Sequence, residues 1–185
     1  MRLFERALRR AQIPIGMSKG FNPRPKLSFP LALQLGIEAF EEIMELELCE
    51  WMKPAELLER LECQLPDGID INLPEVIAPN QKSRVSRFTY KMSFAIENLP
   101  ITQSINRLMA SEIINVTRIK GRDEKIVNIR QSILNIEKEE DGILVQIDAT
   151  CSGTAKPSDV VDALGIDERV LPLPIRITRT QVDLL

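Results

Sequence analysis

The chain has 185 residues, of which 44% are apolar and 28% are charged. This is the composition of one globular domain or two small ones, and it excludes a disordered, coiled-coil or collagen-like chain. No apolar run approaches the roughly 18 residues of a membrane-spanning helix, and the first residues lack the pattern of a secretory signal. The sequence contains no histidine, which excludes Ser-His-Asp and Cys-His nucleophiles, imidazole acid–base catalysis and histidine-ligated zinc.

The cysteine content predicts reduced thiols. Cys49, Cys63 and Cys151 are odd in number and are not spaced as a motif, which favours a cytoplasmic protein over a disulfide-linked one. Three scattered thiols do not form a zinc site, and the Cys-x3-Cys-x2-Cys spacing of an iron–sulfur cluster is absent. We therefore expect no metal and no cofactor on this chain.

The net charge of −3 is the sum of alternating blocks. Residues 1–30 carry a net charge of +6, residues 31–80 carry −10, residues 81–130 carry +6 and residues 131–185 carry −5. The overall charge is therefore a poor guide to binding partners, and the basic first block is the informative feature.

The first half of the chain predicts two helices among several strands. Residues 2–11 form an amphipathic helix, with leucine, phenylalanine and alanine on one stripe and four arginines on the other. The helix is followed by a short predicted strand at Ile13–Ile15 and a proline-rich loop at Ser18–Lys26. Two strands are predicted next, at Leu27–Gly36 and Glu42–Glu50, joined by a turn near Gly36–Phe40. A helix opened by Lys53-Pro54 and a strand at Gly68–Ile77 complete this half.

The second half repeats this order of elements. The sequence here predicts a strand at Arg87–Glu97, a helix at Ile101–Ser111 and a strand at Ile114–Lys120. A loop at Lys120–Lys125 leads to strands at Ile126–Ile136 and Ile143–Ala149. A helix opened by Lys156-Pro157 and a strand at Val170–Val182 follow. At an offset of 101 residues Lys19-Gly20 matches Lys120-Gly121, and at 103 residues Lys53-Pro54 matches Lys156-Pro157. We interpret the chain as a duplicated unit.

The repeated order, strand–helix–strand–strand–helix–strand, is that of a split βαβ or ferredoxin-like unit. We predict an α+β chain of two such units, residues 1–80 and 84–185, joined by Pro79–Ser83. The first unit lacks the leading strand that Arg87–Glu97 supplies to the second. Three explanations stay open: a truncated start, a strand supplied by another chain, or an exposed sheet edge, which would favour homo-oligomers because open edges pair with other chains.

The basic block also carries an unusual run of residues. It reads RALRRA at positions 6–11, IP at 13–14, SKGFNPRPKLSF at 18–29, AL at 32–33 and LG at 35–36. Over residues 1–50 the chain resembles an uncharacterised bacterial family of radical SAM-linked proteins, a domain of unknown function found fused to or beside cobalamin-binding-type radical SAM proteins. The resemblance implies a radical SAM protein as partner, and the iron–sulfur cluster and S-adenosylmethionine would belong to that partner. Members of the family usually carry an upstream strand and a Ser-His-Leu-Asp-like segment that this sequence lacks.

The same segment predicts a surface for phosphates. The candidates are cationic or polar residues of the first helix and the loop, together with one aromatic side chain: Arg6, Arg9, Arg10, Ser18, Lys19, Phe21, Asn22, Arg24 and Lys26. Lysine and arginine neutralise phosphates, and an exposed phenylalanine stacks on a base, as in modules that bind single-stranded RNA. The alternative is structural, with Phe21 in the core and the arginines on a solvated helix face.

Other chemistry is weakly indicated. Glu45 and Glu47 alternate with apolar residues and face outward together, but no second ligand cluster accompanies them. No glycine-rich phosphate loop or nucleophile motif is present. Three functions follow: a non-catalytic accessory module of a radical SAM system that binds RNA or another polyanion, a domain that docks the radical SAM partner, or a histidine-independent RNA-modifying or RNA-cleaving enzyme using Ser18, Lys19 and Lys26.

Overall fold

The computed structural model describes residues 2–78, 81–95, 99–121, 123–167, 169 and 171–185. The chain divides into two compact units, unit 1 (Met1–Pro30 and Met44–Ser83) and unit 2 (Leu31–Ile43 and Arg84–Leu185). Both contain helices and strands, so the predicted α+β class is confirmed. The segment Leu31–Ile43 lies with the second unit, although the sequence predicts it in the first. Of the predicted linker, residues 79 and 80 lie outside the described residues.

Four helices are interspersed among nine strands in the described part of the chain. In order they are α1 (Arg2–Arg10), β1 (Leu27–Ser28), β2 (Glu38–Ala39), β3 (Glu45–Leu46), α2 (Pro54–Glu62), β4 (Val85–Ser93), α3 (Ile101–Ala110), β5 (Asn115–Lys120), β6 (Asp123–Asn128), β7 (Ile133–Glu139), β8 (Gly142–Asp148), α4 (Pro157–Leu164) and β9 (Arg176–Leu184). A 3-10 turn, Arg130–Ser132, precedes β7. None of the helices in the described ranges has the length and apolar character needed to cross a membrane.

Unit 1 is built around the apolar faces of its two helices. Ala7 and Leu8 of α1 are buried in the same cluster as Leu57 and Leu61 of α2. Pro54 opens α2, where its missing N–H costs nothing because the first turn has no intrahelical acceptor for it. The four arginines of α1 are all exposed, so the predicted amphipathic helix is confirmed.

A left-handed residue closes the end of α1. The N–H of Ile13 donates to the carbonyl of Leu8 at 3.1 Å, and the N–H of Gln12 donates to the carbonyl of Arg9 at 3.2 Å, which is the pattern of a Schellman motif. Gln12 has a φ of 52°. Glycine is favoured in this conformation because a side chain there costs roughly 1 kcal/mol.

We expect Gln12→Gly to stabilise unit 1. The substitution removes the left-handed strain, and it should raise the free energy of unfolding by about 0.5–1 kcal/mol. Urea denaturation followed by circular dichroism measures the change. Gln103→Gly, the same replacement at an exposed position inside α3, should lower stability by about 1 kcal/mol. A loss of stability in both variants would contradict the role given to Gln12.

The strands of unit 1 are shorter than predicted. β1 and β3 pair antiparallel over two residues each, whereas the sequence predicts Leu27–Gly36 and Glu42–Glu50. Pro30 follows soon after β1, and residues 31–43 belong to unit 2, so neither predicted strand can extend through that segment within unit 1. The predicted strand Gly68–Ile77 does not form. No described strand lies beside it to accept its backbone hydrogen bonds, and Pro74 removes one donor.

Unit 2 contains a five-stranded sheet in the order β2-β9-β4-β8-β7. Neighbours from β9 to β7 are antiparallel, and β2 lies parallel to β9 at the edge. Alternate side chains of β4 and β8 form one buried cluster with α3 and α4. The predicted strand Arg87–Glu97 is observed over Val85–Ser93, and residues 96 and 97 lie outside the described residues. β9 begins later than the predicted Val170, itself outside the described residues, after two prolines that cannot donate to a ladder.

The fifth strand of this sheet comes from a segment predicted to be a turn, Gly36–Phe40. Glu38 forms an ion pair with Arg176 at 2.9 Å. The N–H of Phe40 donates to the carbonyl of Arg179 at 2.9 Å. These contacts hold the segment Leu31–Ile43 on β9.

β5 and β6 form a separate antiparallel hairpin. The predictions of a loop at Lys120–Lys125 and of one strand at Ile126–Ile136 are wrong. The turn is short, with Gly121 at a φ of 67°, and residue 122 lies outside the described residues. The Asn128 side chain accepts the N–H of Arg130 at 3.1 Å, so the chain leaves β6 in a 3-10 turn before β7.

Candidate nucleic-acid interface

The loop between residues 18 and 24 is closed at its base by hydrogen bonds. The N–H of Ser18 donates to the carbonyl of Arg24 at 2.8 Å. The N–H of Arg24 donates to Ser18 Oγ at 2.9 Å. Met17 and Pro25 form an antiparallel bridge at the same end, so residues 19–23 form the tip of a closed loop.

Phe21 lies at this tip and is fully exposed, with a relative accessibility of 107%. The alternative in which Phe21 fills the core is therefore excluded. Gly20 beside it has a φ of 152°, and no atom lies within 4 Å of the position that a Cβ would take. The loop thus presents a bare aromatic ring on a hydrogen-bonded base, which is suited to stacking on a nucleobase.

The cations of the loop differ in their surroundings. Lys19 and Arg24 are exposed, and in the described part of the chain neither forms an ion pair. The Lys26 ammonium pairs with the carboxylate of Glu47, and its backbone N–H donates to the carbonyl of Gly16 at 2.7 Å. Lys26 therefore ties the base of the loop to the strand region after β3, while Lys19 and Arg24 have no ion-pair partner among the described residues.

The arginines of α1 form the second basic feature. Arg6 and Arg9 are exposed on the side of the helix opposite its buried residues. Arg2 lies one turn before Arg6 on the same side of the helix and belongs to this arginine face, as the sequence predicts from the spacing of four residues. Arg10 Nη2 donates to the carbonyl of Gln64 at 2.9 Å and so links α1 to the end of α2.

The nine candidates all lie in unit 1, in these two features. Ser18 serves in loop closure, and Asn22 is exposed at the tip. Within the described ranges no hydrogen bond joins the α1 arginines to the loop. A shallow depression lined by Asp162, Gly165 and Asp167 contains none of the candidates and belongs to unit 2. The candidate site is therefore an open surface.

Both outward carboxylates of the β3 region have partners. Glu45 accepts the Ser28 hydroxyl at 3.0 Å and the backbone N–H of Ser83. Partial burial raises the pKa of Glu45, but these hydrogen bonds outweigh it and hold the pKa below its ordinary value. Glu47 pairs with Lys26. Through these contacts both carboxylates act as acceptors within unit 1. No group of three metal-ligating side chains occurs among the residues that the structure describes.

A family model matches residues 1–158, a span that includes both basic features. The chain belongs to DUF2344. This family is described as uncharacterised proteins conserved in bacteria, so the uncharacterised bacterial family expected from the resemblance is confirmed. The DUF2344 description does not mention radical SAM proteins. Searches among curated proteins and among solved structures gave no significant match.

The thiols of this DUF2344 chain are free. Cys49 and Cys63 are exposed, and Cys151 is partly buried with its Sγ 3.4 Å from Asp148 Oδ2. Partial burial, and then the Asp148 carboxylate, raise the pKa of the Cys151 thiol. A raised pKa favours the protonated thiol, so the surroundings of Cys151 do not activate it as a thiolate.

Proposed function

We propose that unit 1 is a non-catalytic module that binds single-stranded RNA and serves a radical SAM protein. The observation that carries this proposal is the fully exposed Phe21 ring, between Lys19 and Arg24 on a loop closed at its base. Stacking of one base on an aromatic ring contributes about 1–3 kcal/mol. The flanking cations would neutralise the phosphates on either side of the stacked base.

The arginine face of α1 extends this surface for the backbone of the ligand. Ion-paired side chains gain less from a phosphate than free ones, and Arg6 and Arg9 form no ion pair in the described part of the chain. Residues 1–30 carry a net charge of +6 in a chain of net charge −3. An exposed aromatic ring favours a single strand over a duplex, whose bases are already stacked on one another.

The partners of the reactive groups support a binding role over catalysis. The Lys26 ammonium is paired with Glu47, and the Ser18 hydroxyl accepts the N–H of Arg24. A histidine-independent enzyme that used Ser18 or Lys26 as base or nucleophile would first have to break these contacts. Lys19, the third candidate for that role, forms no ion pair in the described part of the chain, and we assign it to phosphate binding. The radical SAM partner, with its iron–sulfur cluster and S-adenosylmethionine, enters the proposal from the sequence resemblance alone.

We also propose that the chain is a tandem of two ferredoxin-like units in the cytoplasm. The antiparallel order β9-β4-β8-β7 with α3 and α4 supports this fold for unit 2. The proline-initiated α2 and α4 at an offset of 103 residues support a common origin for the two units. Three free thiols support a reducing compartment.

Fluorescence anisotropy with a labelled single-stranded RNA of about ten nucleotides, long enough for one such module, tests the proposed function. Phe21→Ala should weaken binding by about tenfold, because the stacking contribution is lost. Arg9→Glu combined with Arg24→Glu should weaken it by more than tenfold.

Matched changes elsewhere in unit 1 provide the controls. Trp51→Ala removes another exposed aromatic ring, and Lys53→Glu reverses another exposed charge. Both should leave the affinity within about twofold of the unchanged protein, since neither belongs to the surface. Equal losses in the test and control variants, or none in either, would contradict the proposal. A protein that binds its radical SAM partner but no RNA would favour the docking alternative.

A further inference from the structure

We infer that unit 1 binds an extended strand of another polypeptide along the open edge of β3. The strand has large apolar side chains at alternate positions and basic side chains between them. This inference concerns a different surface from the RNA site, and it uses the correspondence of the two units proposed above. It is carried by the backbone of β3, the side chains beneath it and a segment that lacks a neighbour.

The backbone of β3 is paired on one side. Its only neighbour among the described strands is β1. The N–H of Glu47 donates to the carbonyl of Lys26 at 3.1 Å, so residue 47 directs its polar groups to the β1 side. Because this direction alternates along a strand, Leu46 and Leu48 direct their N–H and C=O groups to the opposite edge. That edge can accept a strand.

The side chains beneath this edge are incompletely covered. Three apolar residues of the β3 region pack on the unit 1 core but remain partly exposed: Met44, Leu46 and Leu48. In unit 2 the corresponding strand is β8, which has neighbours on both sides. Its inward side chains, Ile143, Val145 and Ile147, are all at 0% exposure. A strand beside β3 would bury apolar surface in the same way, at roughly 25 cal/mol per Å².

A second segment of unit 1 has no strand neighbour among the described residues. Residues 69–73 alternate apolar and polar side chains as a strand does, in the order Ile69, Asp70, Ile71, Asn72 and Leu73. Ile71 packs on the unit 1 core, and Leu73 is 63% exposed. In unit 2 the closing strand, β9, pairs with β4. A strand inserted beside β3 would also pair with residues 69–73, as β4 pairs with β9 in unit 2.

Charge identifies the chemistry of the occupant. Residues 44–80, which lie in unit 1, carry nine acidic and two basic side chains, a net charge of −7. On the outward face of the β3 region, the Glu47 side chain stays 64% exposed although it pairs with Lys26. In unit 2 the outward face of β4 carries basic side chains. Its Lys91 forms ion pairs with Glu139 and Asp141, each at 3.0 Å. A strand with lysine or arginine at outward positions would complement the acidic edge of unit 1.

A second copy of this chain fits the edge poorly. Antiparallel pairing of two β3 strands with Leu46 opposite Leu46 or Leu48 places Glu45 or Glu47 opposite a glutamate of the other copy. Like charges directly opposite each other destabilise a strand pair. The occupant is therefore a different strand, and a homo-oligomer through this edge is disfavoured.

Hydrogen exchange of the full chain, followed by NMR, tests the inference. The probe is a synthetic peptide with the sequence of residues 84–94, which has the required pattern. Saturating peptide should slow exchange of the Leu46 and Leu48 amides by about tenfold or more. Two control peptides, one with Tyr90→Pro and one with Arg87→Glu and Lys91→Glu, should leave these amides unchanged.

The outcomes separate this inference from RNA binding. Phe21→Ala should reduce RNA binding and leave the effect of the peptide intact. Unchanged exchange at Leu46 and Leu48 would overturn the inference. So would peptide-induced changes in β8 alone, which would indicate strand exchange within unit 2. Concentration-dependent dimers that protect the same amides without peptide would identify a second copy as the occupant and overturn it as well.

Discussion

Glu42→Ala is expected to destabilise unit 2 by about 3 kcal/mol or more, because it leaves a buried guanidinium without its counter-ion. Arg179 of β9 is at 0% exposure. Its Nε donates to Glu42 Oε1 at 2.6 Å, and its Nη2 lies 2.6 Å from the same oxygen. Nη1 has no hydrogen-bond acceptor among the described residues, and Nη2, although close to Glu42 Oε1, is not oriented to donate a hydrogen bond to it. Glu42 is therefore the principal compensation for this charge.

Tyr90 contributes less to the same cluster. The guanidinium carbon of Arg179 lies 6.0 Å from the centre of the Tyr90 ring, at the outer limit of a cation–π contact. Burial raises the pKa of the Tyr90 hydroxyl, against the opposing effect of Arg179. Tyr90 thus stays neutral and cannot replace Glu42 as a counter-ion.

Chemical denaturation measures the effect, with Glu41→Ala as the matched control. Glu41 is the neighbouring carboxylate and forms no ion pair in the described part of the chain, so its removal should change stability by less than about 0.5 kcal/mol. Arg179→Met should cost less than Glu42→Ala, since it removes the buried charge together with its need for a partner. Equal effects of Glu41→Ala and Glu42→Ala would show that the pair does not stabilise the fold.

Gly142→Ala is expected to cost about 3 kcal/mol or more, or to prevent folding of unit 2. Gly142 begins β8 opposite Ser93 of β4. A Cβ on this residue would lie 1.9 Å from the carbonyl oxygen of Met92. The obstacle is backbone in the middle of the sheet, so it cannot move aside as a side chain can. The φ of 151° adds backbone strain for any other residue.

Gly36→Ala is the matched control for this clash. Gly36 also lies in unit 2 and has a positive φ of 85°, but no atom lies within 4 Å of its Cβ position. Its replacement should cost only the strain, about 1 kcal/mol. Thermal unfolding of the two variants separates strain from collision, and similar melting temperatures would contradict the predicted collision at Met92.

The elements with strong local patterns were predictable. α1 follows from its apolar and arginine stripes, α2 and α4 from Pro54 and Pro157, and β4 from its alternating aromatic side chains. β2 could not be predicted from the sequence, because this two-residue parallel edge strand forms only by pairing with β9, which lies far away in sequence. The burial of Arg179 has the same cause, since its counter-ion Glu42 is 137 positions away.

The candidate site was predictable in residue type and only partly in geometry. Closed loops and basic helices can be inferred from prolines, glycines and arginine spacing. The exposure of Phe21 could not be inferred, because an apolar side chain in a loop can equally fill a core. The pairing of Lys26 with Glu47 joins residues 21 positions apart, and no local pattern indicates it.

The salt dependence of RNA binding tests the central proposal most directly. Each phosphate contact to a single strand contributes about −0.7 to the slope of log affinity against log salt. Contacts by Arg6, Arg9, Lys19 and Arg24 together predict a slope of about −3. Arg9→Glu with Arg24→Glu should reduce its magnitude by about 1.4 or more. A slope near zero, or one unchanged by these substitutions, would contradict RNA binding at this surface.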